Sequence, residues 1–214
     1  MGNIYSDRIE ALRSIMAENG WDAVVITGSD PHSSEYPAPR WKQVEWLTGF
    51  TGEAGDVVVT ADHAGLWTDS RYFIQAVTQL EGTGVELHKT RVPGAVPIPQ
   101  WLSDKARVVA VDGLCQSVSA VAELEGALGE GGLVVDVPDM LQELWEDRPQ
   151  MPVTPVTTID VECFGGVPRI DKISWLRKWM LLNGYDKVLL SSLDEVVWML
   201  NVRGSDIEYN PLVI

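Results

Sequence analysis

Three histidines and two cysteines are the side chains of this 214-residue chain best suited to metal binding or nucleophilic catalysis. His32, His63 and His88 fall on three separate predicted elements, and no two of them have the spacing of a helical zinc motif or a zinc knuckle. Cys115 and Cys163 also lack ligand spacing, and no Gly-x-Ser-x-Gly elbow or Cys-His pair marks a nucleophile. The sequence therefore argues against a metal site or a nucleophile built from this chain alone.

A polar, proline-rich loop is the first candidate for ligand binding. It spans Gly28–Pro39, with the sequence GSDPHSSEYPAP, and it directly follows a predicted buried strand. Loops at such strand ends often face ligands. We therefore expect this loop to contribute to a binding site.

The segment WTDSRYF, residues 67–73, is the second candidate, because it lies where a predicted strand gives way to a predicted helix. Asp69 or Ser70 is expected to cap that helix. Arg71 falls in its first turn, where the helix dipole disfavours a positive charge. Two interpretations of Arg71 stay open at this point, namely a structural ion pair and a contact to a ligand.

The glycine-rich stretch GFTGEAG, residues 49–55, has the composition of a phosphate-binding loop. However, no Lys-Ser/Thr pair follows it, and the next predicted element is a strand rather than a helix. We therefore expect a turn that leads into a β-hairpin.

The elements that position these loops begin with a unit that occurs twice. Residues 7–30 and 171–194 are identical at ten of 24 positions. In both copies, apolar residues at helical spacing predict an amphipathic helix that ends at Asn-Gly and is followed by a short apolar strand. The predicted strands are Ala23–Thr27 in the first copy and Val188–Ser191 in the second.

Strands and helices alternate between the two copies and predict an α/β domain in layers. Strands are predicted at 57–60, 66–68, 85–89, 108–111 and 133–136, and helices at 70–80 and 117–128. Residues 147–170 contain four prolines and two adjacent glycines, which is typical of a linker. Because only a helix, a strand, a helix at 194–200 and a tail follow, we expect the second domain to be cut short.

The charge of the chain excludes several classes of partner. It carries 31 acidic and 16 basic side chains, a net charge of −15, which opposes binding to nucleic acids and to anionic membranes. No apolar run reaches the roughly 20 residues that span a bilayer, and no secretory signal precedes the first helix. With two cysteines and no disulfide framework, we expect a cytoplasmic protein.

Five motifs together resemble the long, three-domain form of Xaa-Pro aminopeptidase (aminopeptidase P), which is grouped with prolidase and creatinase. They are DPHSSEY, WLTGFTGEAG, WTDSRYFIQA, LWEDRP and LDEVVWMLNVRGSDIEYNP, and they extend over almost the whole chain. The resemblance implies an α/β creatinase/prolidase N-terminal-like domain at 1–146, with a mixed β-sheet flanked by helices. It also implies a linker at 147–170 and the truncated start of a second, similar domain at 171–214.

The same resemblance implies a catalytic domain beyond this chain. In the family, that domain holds two metal ions, usually manganese, on two Asp, two Glu and one His, and it releases an N-terminal residue that precedes proline. Because the chain ends at Ile214, we expect no catalytic residue, no metal ligand and no cofactor in it. We expect the full-length parent to be a cytoplasmic homodimer that acts on peptides with proline at the second position.

Two residues are expected to bind the substrate, and for Arg71 the expectation comes from the resemblance. In related enzymes an arginine of the N-terminal domain reaches the substrate, sometimes across a dimer, and Arg71 falls on that motif position. A guanidinium holds a peptide carbonyl or carboxylate through paired hydrogen bonds. His32, in the DPHSSEY motif, is the second expected substrate-binding residue.

Two other interpretations fit the same sequence. The chain could be a free-standing, non-catalytic binding module, or the N-terminal region of a prolidase or creatinase. The internal repeat and the RGSDIEYNP tail favour the three-domain aminopeptidase. We also expect residues 171–214 either to be poorly ordered or to pair with a second copy, because an unpaired strand and uncovered apolar side chains promote association.

Overall fold

The computed structural model describes residues 3–164 and 166–214, and the chain divides into two units, the first ending at Pro149 and the second spanning Gln150–Ile214. The first unit begins, as predicted, with helix α1 (Ile4–Asn19) and strand β1 (Ala23–Thr27). Gly20 ends the helix at a φ of +69°, in the left-handed region that glycine adopts without a Cβ clash. Four of the five β1 residues are buried, which accounts for their continuous apolar sequence.

A six-stranded mixed sheet, in the order β4-β3-β2-β1-β5-β6, confirms the predicted fold class. The other strands are β2 (Asp56–Thr60), β3 (Ala64–Thr68), β4 (Glu86–Lys89), β5 (Val108–Val111) and β6 (Leu133–Asp136). Strand β2 runs antiparallel to β1 and β3, whereas β4 is parallel to β3, and β5 and β6 are parallel to β1. The carboxyl ends of five strands therefore meet the amino end of β2 at one edge of the sheet.

Helices cover both faces of this sheet. On one face α1 contributes Leu12 and Met16 to the core, and on the other α5 contributes Leu124 and Leu128. The helices after α1 are α2 (Gln43–Thr48), α3 (Phe73–Gln79), α4 (Ile98–Leu102) and α5 (Val118–Leu128). The sequence did not predict α2 and α4, because five or six residues are too few to show a helical period. No helix within 3–164 or 166–214 is long and apolar enough to cross a membrane.

Helix α3 begins at Phe73, later than the predicted residue 70, and neither Asp69 nor Ser70 caps it. The Asp69 carboxylate instead accepts the backbone N–H of Arg71 at 3.1 Å, and the Asp69 carbonyl accepts the N–H of Tyr72 at 3.0 Å. The prediction of a cap at 69 or 70 is wrong because these bonds close a turn before the helix starts.

The second unit contains α6 (Val161–Phe164), α7 (Arg169–Asn183), α8 (Leu193–Leu200) and an antiparallel pair of two-residue strands, β7 (Thr157–Thr158) and β8 (Val202–Arg203). Part of the segment expected to be a linker is therefore paired within this unit. Thr154 donates its backbone N–H and its hydroxyl to Asp206 Oδ1, at 2.9 and 2.6 Å. The composition of 147–170 does not show these contacts, because their partners lie about 50 residues away along the chain.

The strand predicted at Val188–Ser191 does not form. In the first copy of the repeat, β1 lies between β2 and β5 and hydrogen-bonds to both. The described part of the chain supplies no strand that pairs with 188–191. Leu189 is accordingly 90% exposed. The prediction is wrong because an apolar segment becomes a strand only when its backbone groups find partners.

Candidate functional site

Both loops selected from the sequence lie at one edge of the main sheet. Residues 28–38 follow β1, residues 69–72 follow β3, and residues 49–55 precede β2. The register pairs Thr27 with Asp56 and Asp56 with Trp67, so these three segments leave the sheet side by side. The structure thus brings the two candidate clusters together where α/β sheets commonly bind ligands.

Asp30 orders the loop after β1. Its side chain is buried, and its Oδ1 accepts the backbone N–H groups of His32 and Ser34 at 2.9 and 2.8 Å. Its Oδ2 is buried without a hydrogen-bond partner among the described residues. His32 is exposed, and within 3–164 and 166–214 its imidazole makes no hydrogen bond. His32 is therefore held through its backbone, at the same edge as Arg71 but on a different loop.

Arg71 is held by the carboxylate of Asp69. Its Nε donates to Oδ1 at 2.9 Å and its Nη2 donates to Oδ2 at 2.8 Å, and its side chain is 59% exposed. The hydrogen bonds from Arg71 lower the pKa of Asp69 to about 2. Asp69, and more weakly Tyr72 and Glu35, raise the pKa of Arg71. The remaining nitrogen, Nη1, has no hydrogen-bond partner in the described parts of the chain, so it can donate to a ligand.

The surroundings of Arg71 are acidic. Tyr72 Oη donates to Glu53 Oε2 at 3.5 Å, and the Tyr72 ring centre lies 5.1 Å from the Arg71 guanidinium carbon. The charge of Glu35, followed by that of Glu53, raises the pKa of Tyr36. A ligand that accepts a hydrogen bond from Arg71 and carries a positive charge nearby fits this arrangement. The amino-terminal end of a peptide has both features.

A cavity of about 460 Å³ opens beside Asp69. Its lining includes Asp56, Thr68, Arg91, Val96 and Leu124. Burial raises the pKa of Asp56, although its Oδ1 accepts the Gly28 N–H at 3.2 Å. The volume lies within the range of small-ligand sites, roughly 300–1,000 Å³. The edge therefore offers space as well as polar groups.

The glycines of the 49–55 stretch allow close packing. A Cβ on Gly52 would lie 2.2 Å from Cζ of Phe50, and a Cβ on Gly28 would lie 2.5 Å from the carbonyl oxygen of Gly55. The predicted turn into β2 is confirmed. The close approach of Gly28 and Gly55 fixes the loop after β1 against the loop before β2.

The LWEDRP motif forms a buried ion-pair cluster. Arg148, which is 4% exposed, pairs with Asp139, and the other oxygen of Asp139 accepts Nη2 of Arg40 at 2.7 Å. The ring centres of Trp41 and Trp145 lie 5.6 and 5.5 Å from the guanidinium carbon of Arg148. Burial lowers the pKa of Arg148, and Asp139 opposes that shift. The motif therefore has a packing role in the first unit.

Cys115 is a buried thiol near carboxylates. Burial, followed by the charges of Asp112 and Asp30, raises its pKa to about 12. Its Sγ lies 3.9 Å from Nε2 of Gln43, which donates to it. Because the thiolate is the nucleophilic form, Cys115 is unreactive at neutral pH.

His63 and His88, which the sequence leaves on separate elements, come together in the structure. Their Nε2 atoms lie 3.0 Å apart, and a carboxylate oxygen of Glu86 completes a group whose ligand atoms all lie within 4.8 Å of one another. Burial and then the charge of His63 lower the pKa of His88. The sequence signal is the period-two spacing of Glu86 and His88, but the pairing of β4 with β3 is not visible in it.

Two family models of the creatinase/prolidase N-terminal domain match the chain, one over residues 8–144 and the other over 147–214. Aminopeptidase P1 of Lotus japonicus is 35% identical over 212 residues, which are 96% of this chain and 32% of the relative. The Xaa-Pro aminopeptidase app-1 of Caenorhabditis elegans is 36% identical over 213 residues, which are 97% of this chain and 34% of the relative. The chain thus spans about a third of the length of the curated relatives it matches.

A solved structure is similar to nearly the whole chain. It is the X-prolyl aminopeptidase from Caenorhabditis elegans, described as a cytosolic enzyme with a di-nuclear active site. It has a TM-score of 0.86 and 33% sequence identity, and the match covers 97% of this chain and 36% of the solved chain.

Proposed function

Because the chain belongs to the creatinase/prolidase N-terminal domain family, we propose that it is the non-catalytic N-terminal region of a metal-dependent Xaa-Pro aminopeptidase. Its domains are a creatinase-like domain at 1–146 and, after residues 147–170, the start of a second at 171–214. This region supplies Arg71 and His32 to substrate binding and a surface to the assembly of a homodimer.

The observation that carries this proposal is the pairing of Arg71 with Asp69 on WTDSRYFIQA, one of the five motifs that carry the family resemblance. Asp69 takes up two of the side-chain nitrogens of Arg71 and thereby limits the rotamers of a long, exposed side chain. Nη1 is left to donate to a carbonyl or carboxylate oxygen of a bound peptide. Because this geometry exists before a ligand binds, less conformational entropy is lost on binding.

The metals of the parent are proposed to lie outside this chain. The expected ligand set consists of two Asp, two Glu and one His, and at the Arg71 edge the described residues do not form such a group. The His63, Glu86 and His88 group has a different composition. No step of peptide cleavage is therefore assigned to a metal held by this chain.

The substrate, the location and the metal complete the proposal. We propose peptides with proline at the second position, because the similar proteins are named Xaa-Pro or X-prolyl aminopeptidases. The cytosolic relative supports a cytoplasmic location. Its di-nuclear active site supports two divalent ions in the parent, for which we propose manganese.

The test is the Arg71→Ala substitution in the full-length parent. We expect kcat/KM for an Xaa-Pro peptide to fall roughly tenfold to a hundredfold, because one charge-assisted contact to the substrate is lost. Metal content, measured by mass spectrometry, should stay unchanged, and the thermal unfolding midpoint should fall only slightly, because the exposed ion pair with Asp69 is lost. Arg177→Ala, which changes an exposed arginine of α7, is the matched control and should leave kcat/KM unchanged. Unaltered kinetics in Arg71→Ala would show that the ion pair with Asp69 is purely structural.

A further inference from the structure

We propose that His63, Glu86 and His88 form a binding site for one divalent transition-metal ion of the class that prefers imidazole ligands, with Zn²⁺ as its representative. This site rests on the geometry of the first unit and not on the proposed function.

The sheet places the three side chains on one face. Along a strand, alternate residues point to the same side, so His63, Gly65 and Trp67 share a face of the β3 segment, and Glu86 and His88 share a face of β4. Strands β3 and β4 are parallel, and their register sets Gly65 opposite Glu86 and Trp67 opposite His88. His63 lies one residue before β3, in the turn that follows β2. Three side chains from two segments of the chain thus converge on one point.

The distances suit a metal ion. The Nε2 atoms of His63 and His88 are 3.0 Å apart, and one ligand atom from each of the three residues lies within 4.8 Å of the other two. With metal–nitrogen bonds of about 2.0–2.1 Å, two nitrogens at this separation subtend an angle of roughly 95° at the ion. That angle fits two adjacent positions of an octahedral ion, and a small outward movement of one ring reaches the tetrahedral value. Two imidazoles and one carboxylate leave further positions open for water.

A glycine provides the room for this arrangement. A Cβ on Gly65 would lie 2.7 Å from Nε2 of His63 and 2.7 Å from Cδ2 of His88, closer than real side chains approach. Any other residue at 65 would therefore push the two imidazoles apart. The two rings approach each other only because this position of β3 has no side chain.

Tryptophans hold the rings in place. The Trp67 ring stacks on His88 with centres 3.8 Å apart and planes 7° from parallel. The Trp101 ring lies 4.9 Å from His63 and 5.8 Å from His88. Because the aromatic neighbours restrict both imidazoles, the ligands lose little freedom when an ion binds.

The site is open to solvent through a depression of about 470 Å³, which is lined by Thr60, Asp62, His63, Trp101 and Lys105. The ammonium group of Lys105 is paired with Asp104 at 2.9 Å and lies 5.0 Å from the centre of the Trp101 ring. Its charge is therefore partly balanced, and the depression contributes Asp62 as a further carboxylate. Glu86 is itself exposed, so an ion can reach the three ligands without unfolding of the sheet.

The experiment is a calorimetric titration of the metal-free 214-residue chain with Zn²⁺ at pH 7.5, in a Cys163→Ser background that removes the exposed thiol. We expect one ion per chain and a shift of the His63 and His88 imidazole resonances in the NMR spectrum. His63→Gln and His88→Gln should each weaken binding roughly tenfold or more, and Gly65→Ala should do the same by separating the rings. His32→Gln is the matched control and should bind Zn²⁺ as tightly as the Cys163→Ser chain does. Mg²⁺ and Ca²⁺, which prefer oxygen ligands, should not shift the two imidazoles.

Three results would overturn the proposal. The first is the absence of Zn²⁺ binding to the Cys163→Ser chain. The second is an equal affinity for Zn²⁺ in this chain and in the two histidine variants, and the third is a loss of Zn²⁺ binding in His32→Gln. If the histidine variants unfold, Glu86→Gln decides the question, because this exposed substitution leaves the sheet intact. Binding weakened in Glu86→Gln supports the site, and unchanged binding together with unshifted imidazole resonances contradicts it.

Discussion

Asp69 and Arg71, two residues apart, form a two-point ion pair, with Nε to Oδ1 at 2.9 Å and Nη2 to Oδ2 at 2.8 Å. Because two atoms of each side chain take part in the pair, Asp69 determines where the Arg71 guanidinium lies. An arginine that is 59% exposed is thereby ordered at the edge of the sheet where the loops after β1 and β3 meet. Asp69 is thus a positioning residue for Arg71.

The pair with Arg71 predicts a dependence of stability on pH. In the folded protein the pKa of Asp69 is lowered to about 2, whereas an aspartate in an unfolded chain has a pKa of about 3.9. A lowered folded pKa stabilises the protein above the unfolded value, and the contribution is lost as the pH falls through the folded one. We expect the thermal unfolding midpoint of the unsubstituted chain to exceed that of Asp69→Asn above about pH 4. The two midpoints should converge as the pH falls toward about 2. A constant difference across this range would contradict the prediction, and Asp186→Asn, an exposed substitution in the second unit, is the control.

Asp30→Ala should loosen the loop after β1. The buried carboxylate accepts two backbone N–H groups, and their loss should lower the free energy of unfolding by about 1–3 kcal/mol. Amide hydrogen exchange at His32 and Ser34 should accelerate, as measured by NMR. Asp30→Asn retains an acceptor oxygen and should cost less. Glu35→Ala, an exposed change in the same loop, should leave both quantities unchanged, and equal effects of Glu35→Ala and Asp30→Ala would refute the assignment.

Asp139→Ala should strongly destabilise the first unit. Arg148 is buried, and removal of its partner leaves a buried charge without compensation, at a cost of about 3–5 kcal/mol in the free energy of unfolding. Urea denaturation followed by tryptophan fluorescence measures this change. Asp147→Ala alters an exposed carboxylate next to Arg148 and should change the free energy by less than about 0.5 kcal/mol. A similar small effect of Asp139→Ala would show that the cluster contributes little.

The second unit should be poorly ordered or should associate. Trp175 is 61% exposed, Trp198 is 57% exposed and Leu189 is 90% exposed, which leaves a large apolar surface open to water. Hydrogen exchange of residues 171–214 at low and high protein concentration separates the two outcomes. Rapid exchange at both concentrations indicates disorder, and protection that grows with concentration indicates pairing with a second copy. Strong protection in a monomer at high concentration would contradict both.

The purified 214-residue chain should hydrolyse no Xaa-Pro peptide, even with added manganese. The reason is that the described residues do not form the expected group of two Asp, two Glu and one His. A peptide-release assay with 1 equivalent and with excess Mn²⁺ measures this. Turnover that follows the chain through purification and disappears with a chelator would contradict the prediction.

Local signals in the sequence determined much of the first unit. The helix stop at Asn19-Gly20, the apolar strand after it and the strand at Val108–Val111 were predicted with the bounds that the structure has, because capping and hydrophobic period act over a few residues. The same signals failed at Val188–Ser191. That segment repeats the pattern of β1 but has no paired neighbour in the described chain, and a strand requires one.

Contacts between distant segments were decided only by the tertiary structure. The sequence left Arg71 between an ion pair and a ligand contact, and the structure assigned two of its nitrogens to Asp69 while leaving Nη1 available. It also brought His63 to His88 through the parallel pairing of β3 with β4. Residue types and spacing along one strand cannot specify that register, because the partner strand and its alignment are selected by packing of the whole sheet against α1 and α5.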